Sequence, residues 1–431
     1  MILTKKFYHI LLYLRYLQKV RYWKRLGVEN IDLWELYQRS KVLPSGINLN
    51  KYYRQMYNEK KPFMVIECLL DSMLFVQDLE AIKEIMITQF ENFPDRGFYV
   101  NHREALSVNL SRLEYDMWKP VRHKLTPSFS PAKVRNMFPI LLEVTQKLIK
   151  VLAEDSQRAL DNQIEILDLC SRFTIDIIGN VAFGIECNSL ENPQTEFLLQ
   201  GNRAFLGILN PFWDMFGNKY PKVLQFLNVY VFSRESNAFF KRIFQETKAF
   251  REKNNVRRND FMDLLLELKL EHGEDKDFPL TSDLLVGQLF AFFIAGFETN
   301  ACTLTYALYE LAKHPDIQEK ARQEVMQLKA ANNQKLTYDS MKQLKFLKAI
   351  VQETLRKYPI GSVMPRVCVR QCTIKTSYNT TLTIQPGTFV LIPFYGEYER
   401  YFEISIKLSE SFTPKDTKGY VTLQRKTREQ Q

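Results

Sequence analysis

Several common chemistries are ruled out by what this sequence lacks. Histidine is scarce, and the five positions, 9, 102, 123, 272 and 314, show no metal-ligand spacing. The six cysteines, at 68, 170, 187, 302, 368 and 372, are scattered without paired spacing. That excludes a disulfide scaffold and fits reduced thiols in a cytosolic setting. No C-x-x-C pair, H-E-x-x-H or G-x-S-x-G occurs, which removes the zinc ribbons, the zincins and the nucleophile elbow. GNVAFGIE (179–186) has the glycine spacing of a phosphate loop but ends in Ile185-Glu186 where Lys and a hydroxyl residue are needed. At the amino end the longest uncharged run, Phe7 to Leu14, is far below the ~20 residues that cross a bilayer. No small-residue cleavage site follows it, so a secretory signal is not read there. There is no internal repeat. No basic run with interleaved aromatics stands out beyond the amino end, so nucleic acid is not an expected partner.

What is present describes a folded protein. Of 431 residues, 45% are hydrophobic and 25% charged, ordinary globular values for a chain of two to three domains or one large one. Lys and Arg number 59 against 49 Asp and Glu, a net charge of +10 that suits an anionic membrane surface or an acidic protein partner. Lys19, Arg21, Lys24 and Arg25 follow the short apolar run. By the positive-inside rule they keep the remainder on the cytosolic side. Residues 1–25 therefore read as a short membrane-associated segment, the other reading being a helix that packs on its own domain.

The layout is mainly α with a small β portion. KPFMVIECLLDSMLFVQD (61–78) reads as two short strands around Asp71-Ser72. Helical periodicity then dominates to Lys357, with amphipathic runs at Phe138–Leu152, Ile164–Ile178, Asn237–Glu252 and Asp260–Leu270. TLTIQPGTFVLIPF (381–394) alternates around Pro386-Gly387 and predicts a hairpin. The longest predicted helix opens at Ser282-Asp283 and runs to Lys313, roughly 48 Å at 1.5 Å per residue.

Within that helix the segment AGFET (295–299) is an anomaly. Glycine costs roughly 1 kcal/mol in a helix interior. Ala295, Gly296 and Thr299 share a face, and Glu298 adds a carboxylate. The Thr299 hydroxyl can bond the carbonyl of residue 295 and loosen the helix, leaving a groove at Gly296; the alternative is a packing notch for a crossing helix. Glu353 and Arg356 are spaced for an ion pair, which is as a rule a solvated one. Trp118 and Arg122, with Lys119, His123 and Lys124, could hold an anion or form a solvated basic face.

Order and spacing join these weak signals. W-x-x-x-R (118–122), A-G-F-E-T (295–299), E-T-L-R (353–356), P-R (365–366) and Q-P-G-T-F-V-L-I-P (385–393) occur in this sequence in the order seen in the cytochromes P-450, the haem-thiolate monooxygenases. FPDRGFY (93–99), KLTPSFSPAKVRNMF (124–138) and ALYELAKHPDIQEKARQEV (307–325) agree. The chain resembles this family from about residue 22 to 394, and most of all its microsomal insect branch, which handles foreign and lipophilic endogenous compounds. The resemblance implies the cytochrome P-450 fold over 26–431 and haem b as cofactor. It also implies an NADPH-dependent reductase as partner, and the cytosolic face of the endoplasmic reticulum membrane as location. It assigns Thr299 and Glu298, with Ala295 and Gly296, to dioxygen and its protons. Trp118, Arg122 and Arg366 go to the haem propionates, and Glu353 and Arg356 to a buried pair near the haem. Substrate would lie against Phe292, Phe293 and Ala295 under a roof at 205–216.

One part of the pattern is missing. The family's axial cysteine lies in a loop beyond the Q-P-G-T strands, but no cysteine follows Cys372 here, and Cys368 and Cys372 fall in text that the family uses as strand. The text predicts an internal deletion after about residue 394, with no metal ligand found. The family reading is insertion of one oxygen atom from dioxygen into a lipophilic substrate. The alternative, favoured for the polypeptide as written, is a catalytically inactive protein or hydrophobic-ligand binder with the same body.

Overall fold

The structure is a computed structural model that describes residues 14, 16–32, 61–67, 72–158, 164–208, 216, 217, 219–258, 260–272, 280–361 and 363–393. Two compact units emerge. One collects the described residues of Met1–Tyr99, Asp214–Tyr220 and Gly361–Thr413, and the other those of Val100–Trp213 and Pro221–Ile360.

The first unit is built on a five-stranded sheet. Strands β1 (Glu29–Asp32), β2 (Phe63–Glu67) and β3 (Ser72–Val76) are joined by β4 (Val363–Val367) and β7 (Phe389–Pro393) in the order β1-β2-β3-β7-β4. The predicted pair at 61–78 is the antiparallel β2–β3 ladder. All five residues of β2 are buried, as expected of a strand covered on both faces. Val65, Leu74, Val390 and Ile392 pack on one side with Trp23 and Ile85, while Met64, Ile66, Phe75 and Leu391 pack on the other with Ile31. The helix α1 (Leu79–Lys83) starts at Asp78, whose carboxylate accepts from Ala81 N at 3.0 Å.

The hairpin predicted at 381–394 does not form. Gly387 does make the turn, at φ +83°, with its N–H bonded to Cys368 O at 2.7 Å. However, β6 (Thr381–Ile384) pairs with β5 (Cys372–Lys375), and β7 runs parallel to β3 and antiparallel to β4. The two arms part because β7 is buried at Val390, Leu391 and Ile392, so both of its edges need partners.

The second unit is helical. In chain order it contains α2 (Tyr115–Leu125), α3 (Pro131–Arg158), α4 (Ile166–Ile178), α5 (Glu196–Ile208), α6 (Pro221–Phe226), α7 (Arg234–Asn254), α8 (Phe261–His272), α9 (Ser282–Gly296), α10 (Glu298–Lys313), α11 (Pro315–Ala331), α12 (Tyr338–Met341) and α13 (Lys345–Lys357). The four amphipathic runs named from sequence fall in α3, α4, α7 and α8. Side-chain caps set the starts: Thr281 accepts from Leu284 N at 3.2 Å to open α9, and Ser233 from Ser236 N at 3.0 Å to open α7.

Aromatic packing holds this unit. Phe183, Phe197, Phe239, Phe240, Phe290, Phe293 and Phe297 form one buried cluster with ring centroids mostly 5–6 Å apart. Each contributes about 1.5–3 kcal/mol through burial alone. Gly287 lets α9 approach the chain at 105–108 closely: a Cβ there would lie 2.2 Å from the Val108 carbonyl oxygen. Gln288 completes the contact, donating to Val108 O at 3.1 Å and accepting from Leu110 N at 2.9 Å. Buried charge is also paired. Arg251 bonds both oxygens of Asp260, one oxygen of Asp263, and Phe183 O at 3.0 Å.

Candidate functional site

The helix predicted as one element from 282 to 313 is broken at Phe297. This residue adopts φ −86°, ψ −95° and separates α9 from α10. Fully buried Phe297 stacks on Phe293 at 6.1 Å, so its ring is fixed by the core while the backbone turns. The longest helix among the described residues is therefore α3, with 28 residues. The 282–313 stretch is apolar enough to cross a membrane, yet more than half of its most apolar window is buried within the protein.

Side chains take over carbonyls at the break. Thr299 Oγ1 donates to Ala295 O at 2.5 Å, the bond expected from the spacing, and Asn300 Nδ2 donates to Gly296 O at 3.0 Å. Glu298 stands half-buried on the first turn of α10. Burial raises its carboxyl above the usual range, while the Cys302 thiol, 3.8 Å from Oε1, pulls it back down. Cys302 is in turn pushed up to about 11, by burial first and then by Glu298. The turn thus holds an acid that favours its proton next to a hydroxyl.

Gly296 differs from the groove that sequence allowed. A Cβ there would meet Ile178 Cδ1 at 2.6 Å, so the notch is filled by a side chain of α4. The missing side chain serves the helix crossing, and of the pair only Ala295 is exposed.

Phe292 and Phe293 diverge. Phe293 is fully buried among Phe183, Phe197 and Phe240, and belongs to the core. Phe292 lines a cavity of about 540 Å³ with Phe129, Met137, Leu141, Ile178 and Phe261, an almost wholly apolar wall. The volume and lining suit a lipophilic molecule. The expected roof, at 205–216, lies largely outside the described residues.

Trp118 and Arg122 are one turn apart on α2. Trp118 stacks on Tyr115 at 6.2 Å and packs partly on the aromatic core, while Arg122 is exposed. The Glu353–Arg356 pair forms on α13, with Arg356 Nε bonded to Glu353 Oε2 at 2.7 Å. It is not buried: the Glu353 side chain is 55% exposed, because this face of α13 is turned away from the core.

Arg366, in the sheet unit, is the least expected. It is 6% exposed, and among the described residues its Nη1 donates to Pro365 O at 2.8 Å while its buried Nε has no partner. Burial, and then the charge of Arg96, push it down to about 10. Arg96 is placed there by the chain on either side. Asp95 bridges Val367, with Val367 N bonded to Asp95 O at 2.8 Å, and Gly97, at φ +71°, leaves no room for a Cβ against Phe389. Sequence reading did not single out Arg96. The D-R-G text beside a strand was the available signal. A buried guanidinium with an orphaned N–H and a second cation beside it fits an incoming carboxylate.

A helical unit, a small sheet drawn from distant segments and a core helix interrupted at an acid and a threonine agree with the haem-dependent oxygenase class. Comparison with known proteins agrees. The model of the cytochrome P-450 family matches residues 33–400. The chain is 34% identical to probable cytochrome P-450 6a20 of Drosophila melanogaster over 401 residues, covering 89% of this chain and 79% of that protein. It is 35% identical over 421 residues to cytochrome P-450 6a8 of the same organism, covering 93% and 81%. This chain belongs to the cytochrome P-450 family, whose cofactor is haem b and whose activity is monooxygenation.

The fit to haem is met at one end only. Arg366, buried with an Nε that has no partner among the described residues, has the chemistry to receive a carboxylate. A thiolate for the iron is not offered among the described residues. Burial pushes Cys368 up to about 12 and raises Cys170, Cys187 and Cys372 as well. Cys68 and everything beyond Pro393, where the deletion is expected, lie outside the described residues.

Proposed function

We propose that the chain acts as a monooxygenase on lipophilic compounds, foreign or endogenous. It would take electrons from an NADPH-dependent reductase at the cytosolic face of the endoplasmic reticulum. One observation carries the reading: the break at Phe297 sets Glu298 and Thr299 on the first turn of α10, directly after α9, whose Phe292 lines the apolar cavity. The cavity accepts apolar surface, worth about 25 cal/mol per Å² removed from water. Glu298, its carboxyl raised by burial, would exchange protons beside Thr299, whose hydroxyl donates to Ala295 O. Arg366, Trp118 and Arg122 would hold the propionates, and Glu353 with Arg356 would steady α13. Haem, when bound, supplies the redox chemistry of dioxygen. The positive charge suits an acidic reductase and an anionic lipid surface, and residues 1–25 would provide the membrane contact.

The second reading, a hydrophobic-ligand binder without catalysis, is favoured by the absence of a cysteine after residue 372. An internal deletion after about residue 394 would account for it. Reduced protein treated with carbon monoxide separates the two. A thiolate-type Soret band, with hydroxylated product when reductase and NADPH are added, supports the first. Binding of a lipophilic probe with neither band nor product overturns it in favour of the second. Thr299→Ala is expected to lower product formed per NADPH consumed by roughly a hundredfold, the lower end of the scale of one positioned proton-transfer group.

A further inference from the structure

Cys368 and Cys372 stand outside the machinery described above, and the sheet unit brings them together. Cys372 opens β5 opposite Ile384 in the β5–β6 ladder. Cys368, just past the end of β4, directs its Sγ to the carbonyl of the same Ile384 at 3.9 Å, and to Arg370 O at 3.0 Å. Both cysteines therefore lie beside Ile384, and Cys372 packs on the same apolar cluster that holds Cys368. The backbone around Cys368 is fixed. Its N–H bonds Thr388 O at 3.0 Å, its carbonyl accepts from Gly387 N at 2.7 Å, and the next residue, Val369, bonds Asn92 O at 2.8 Å. Cys368 is wholly buried, while Cys372 is partly exposed.

We propose that Cys368 and Cys372 form an oxidisable dithiol that closes to an intramolecular disulfide. The division of labour follows from exposure: Cys372 can meet a peroxide, and Cys368 cannot. Burial raises both thiols, and the interaction with Cys368 offsets part of the rise at Cys372. With hydrogen peroxide as oxidant, the Cys372 thiolate attacks one oxygen, the O–O bond breaks, and a sulfenic acid forms as the first water leaves. Cys368 sulfur then attacks the Cys372 sulfur, an S–S bond forms, the S–O bond breaks and a second water departs. Two electrons pass from the two thiols to one peroxide. The same pair, reduced, is a chelating site for a trivalent arsenical. Closure would tie the end of β4, which carries Arg366, to β5 across the three residues Val369, Arg370 and Gln371.

Arg370, between the two cysteines, makes the test direct. Trypsin cuts after Arg366, Arg370 and Lys375 and so separates the Cys368 peptide from the Cys372 peptide unless a disulfide joins them. Full-length folded protein is treated with hydrogen peroxide, blocked with N-ethylmaleimide, digested without reductant and mapped by mass. The expected result is the joined peptide pair in most of the sample, lost on dithiothreitol treatment and absent from Cys372→Ser. Phenylarsine oxide added before peroxide should prevent the joined pair from forming. Cys372 found as sulfinic acid, or Cys372 joined to a cysteine other than Cys368, overturns the proposal. So does Cys372 alkylated to the same extent with and without peroxide. Cys372→Ser tests the exposed partner, so the outcome does not depend on a core substitution folding.

Discussion

Arg251 in the helical unit and Arg366 in the sheet unit are both nearly shut off from solvent, at 4% and 6% exposed, yet their surroundings are opposite. Arg251 is met by Asp260, Asp263 and a backbone carbonyl, and both of its terminal nitrogens are used. Arg366 has its own neighbour's carbonyl, the like charge of Arg96, and a buried Nε with no partner among the described residues. A buried cation supplied with carboxylates by its own chain holds a fold together. One left without them is held at a cost, and the cost is offset when an anion arrives. The difference separates a structural charge from a binding charge more surely than burial does.

Removing each in turn tests that contrast. Arg251→Ala leaves two carboxylates facing one another, one of them wholly buried, and should cost about 3–5 kcal/mol, seen as a large fall in Tm. A loss below about 1 kcal/mol would break the comparison from the structural side. Arg366→Ala should leave the stability of the unliganded protein within about 1 kcal/mol of the parent. It should also weaken haemin binding by roughly tenfold or more, the loss of one charge-assisted hydrogen bond of about 1.5–3 kcal/mol. Haemin titration followed by absorbance reads the second effect and thermal unfolding the first. Equal affinity in both proteins would remove Arg366 from the site.

Glu310 gives an intermediate case with a pH signature. Burial pushes its carboxyl up, but hydrogen bonds from the Tyr358 hydroxyl and Lys357, the latter at 3.0 Å, hold it below the ordinary value. A depressed carboxyl contributes stability above its unfolded pKa, near 4.5, and loses it as pH falls through the folded value. Glu310→Gln should cost about 1 kcal/mol at neutral pH and flatten the decline in Tm on acidification. The smallest effect belongs to Glu353→Gln, a few tenths of a kcal/mol for an exposed i,i+3 pair. A loss of several kcal/mol would mean that this pair lies deeper than the exposed face of α13 shows.

The legible features were the local ones. The β2–β3 pair, the long amphipathic helices and the Thr299 bond to Ala295 follow from spacing over a few residues, and the structure contains them. The loosening of the helix at 295–299 was legible from Gly296 and Thr299, while a full break at Phe297 was not, since its ring is fixed by packing on Phe293 in the core. The β6–β7 hairpin was misread for a similar reason. Pro386-Gly387 does encode a turn, but partner choice is made by distant strands that bury both edges of β7. Glu353 and Arg356 were identified as a pair, while their exposure depends on what covers α13. The orphaned Nε of Arg366 had no sequence signal at all, since an absent partner writes nothing in the text. Cys368 and Cys372 were visible as neighbours, but only the ladder to Ile384 shows that both lie beside the same residue.

The parallel contact between β3 and β7 has an effect on how the protein comes to be made. Residues 73–75 lie beside residues 389–391, so the inner edge of the early strands waits, during translation, for a segment that leaves the ribosome last among those described. Until then β3 offers a bare row of amide and carbonyl groups to any passing strand. The helical unit draws its described residues from the intervening chain and has no such wait. A nascent chain halted before Phe389 should accordingly show its helices protected from hydrogen exchange and its sheet not. Aggregation of such a product would begin at the Ser72–Val76 edge.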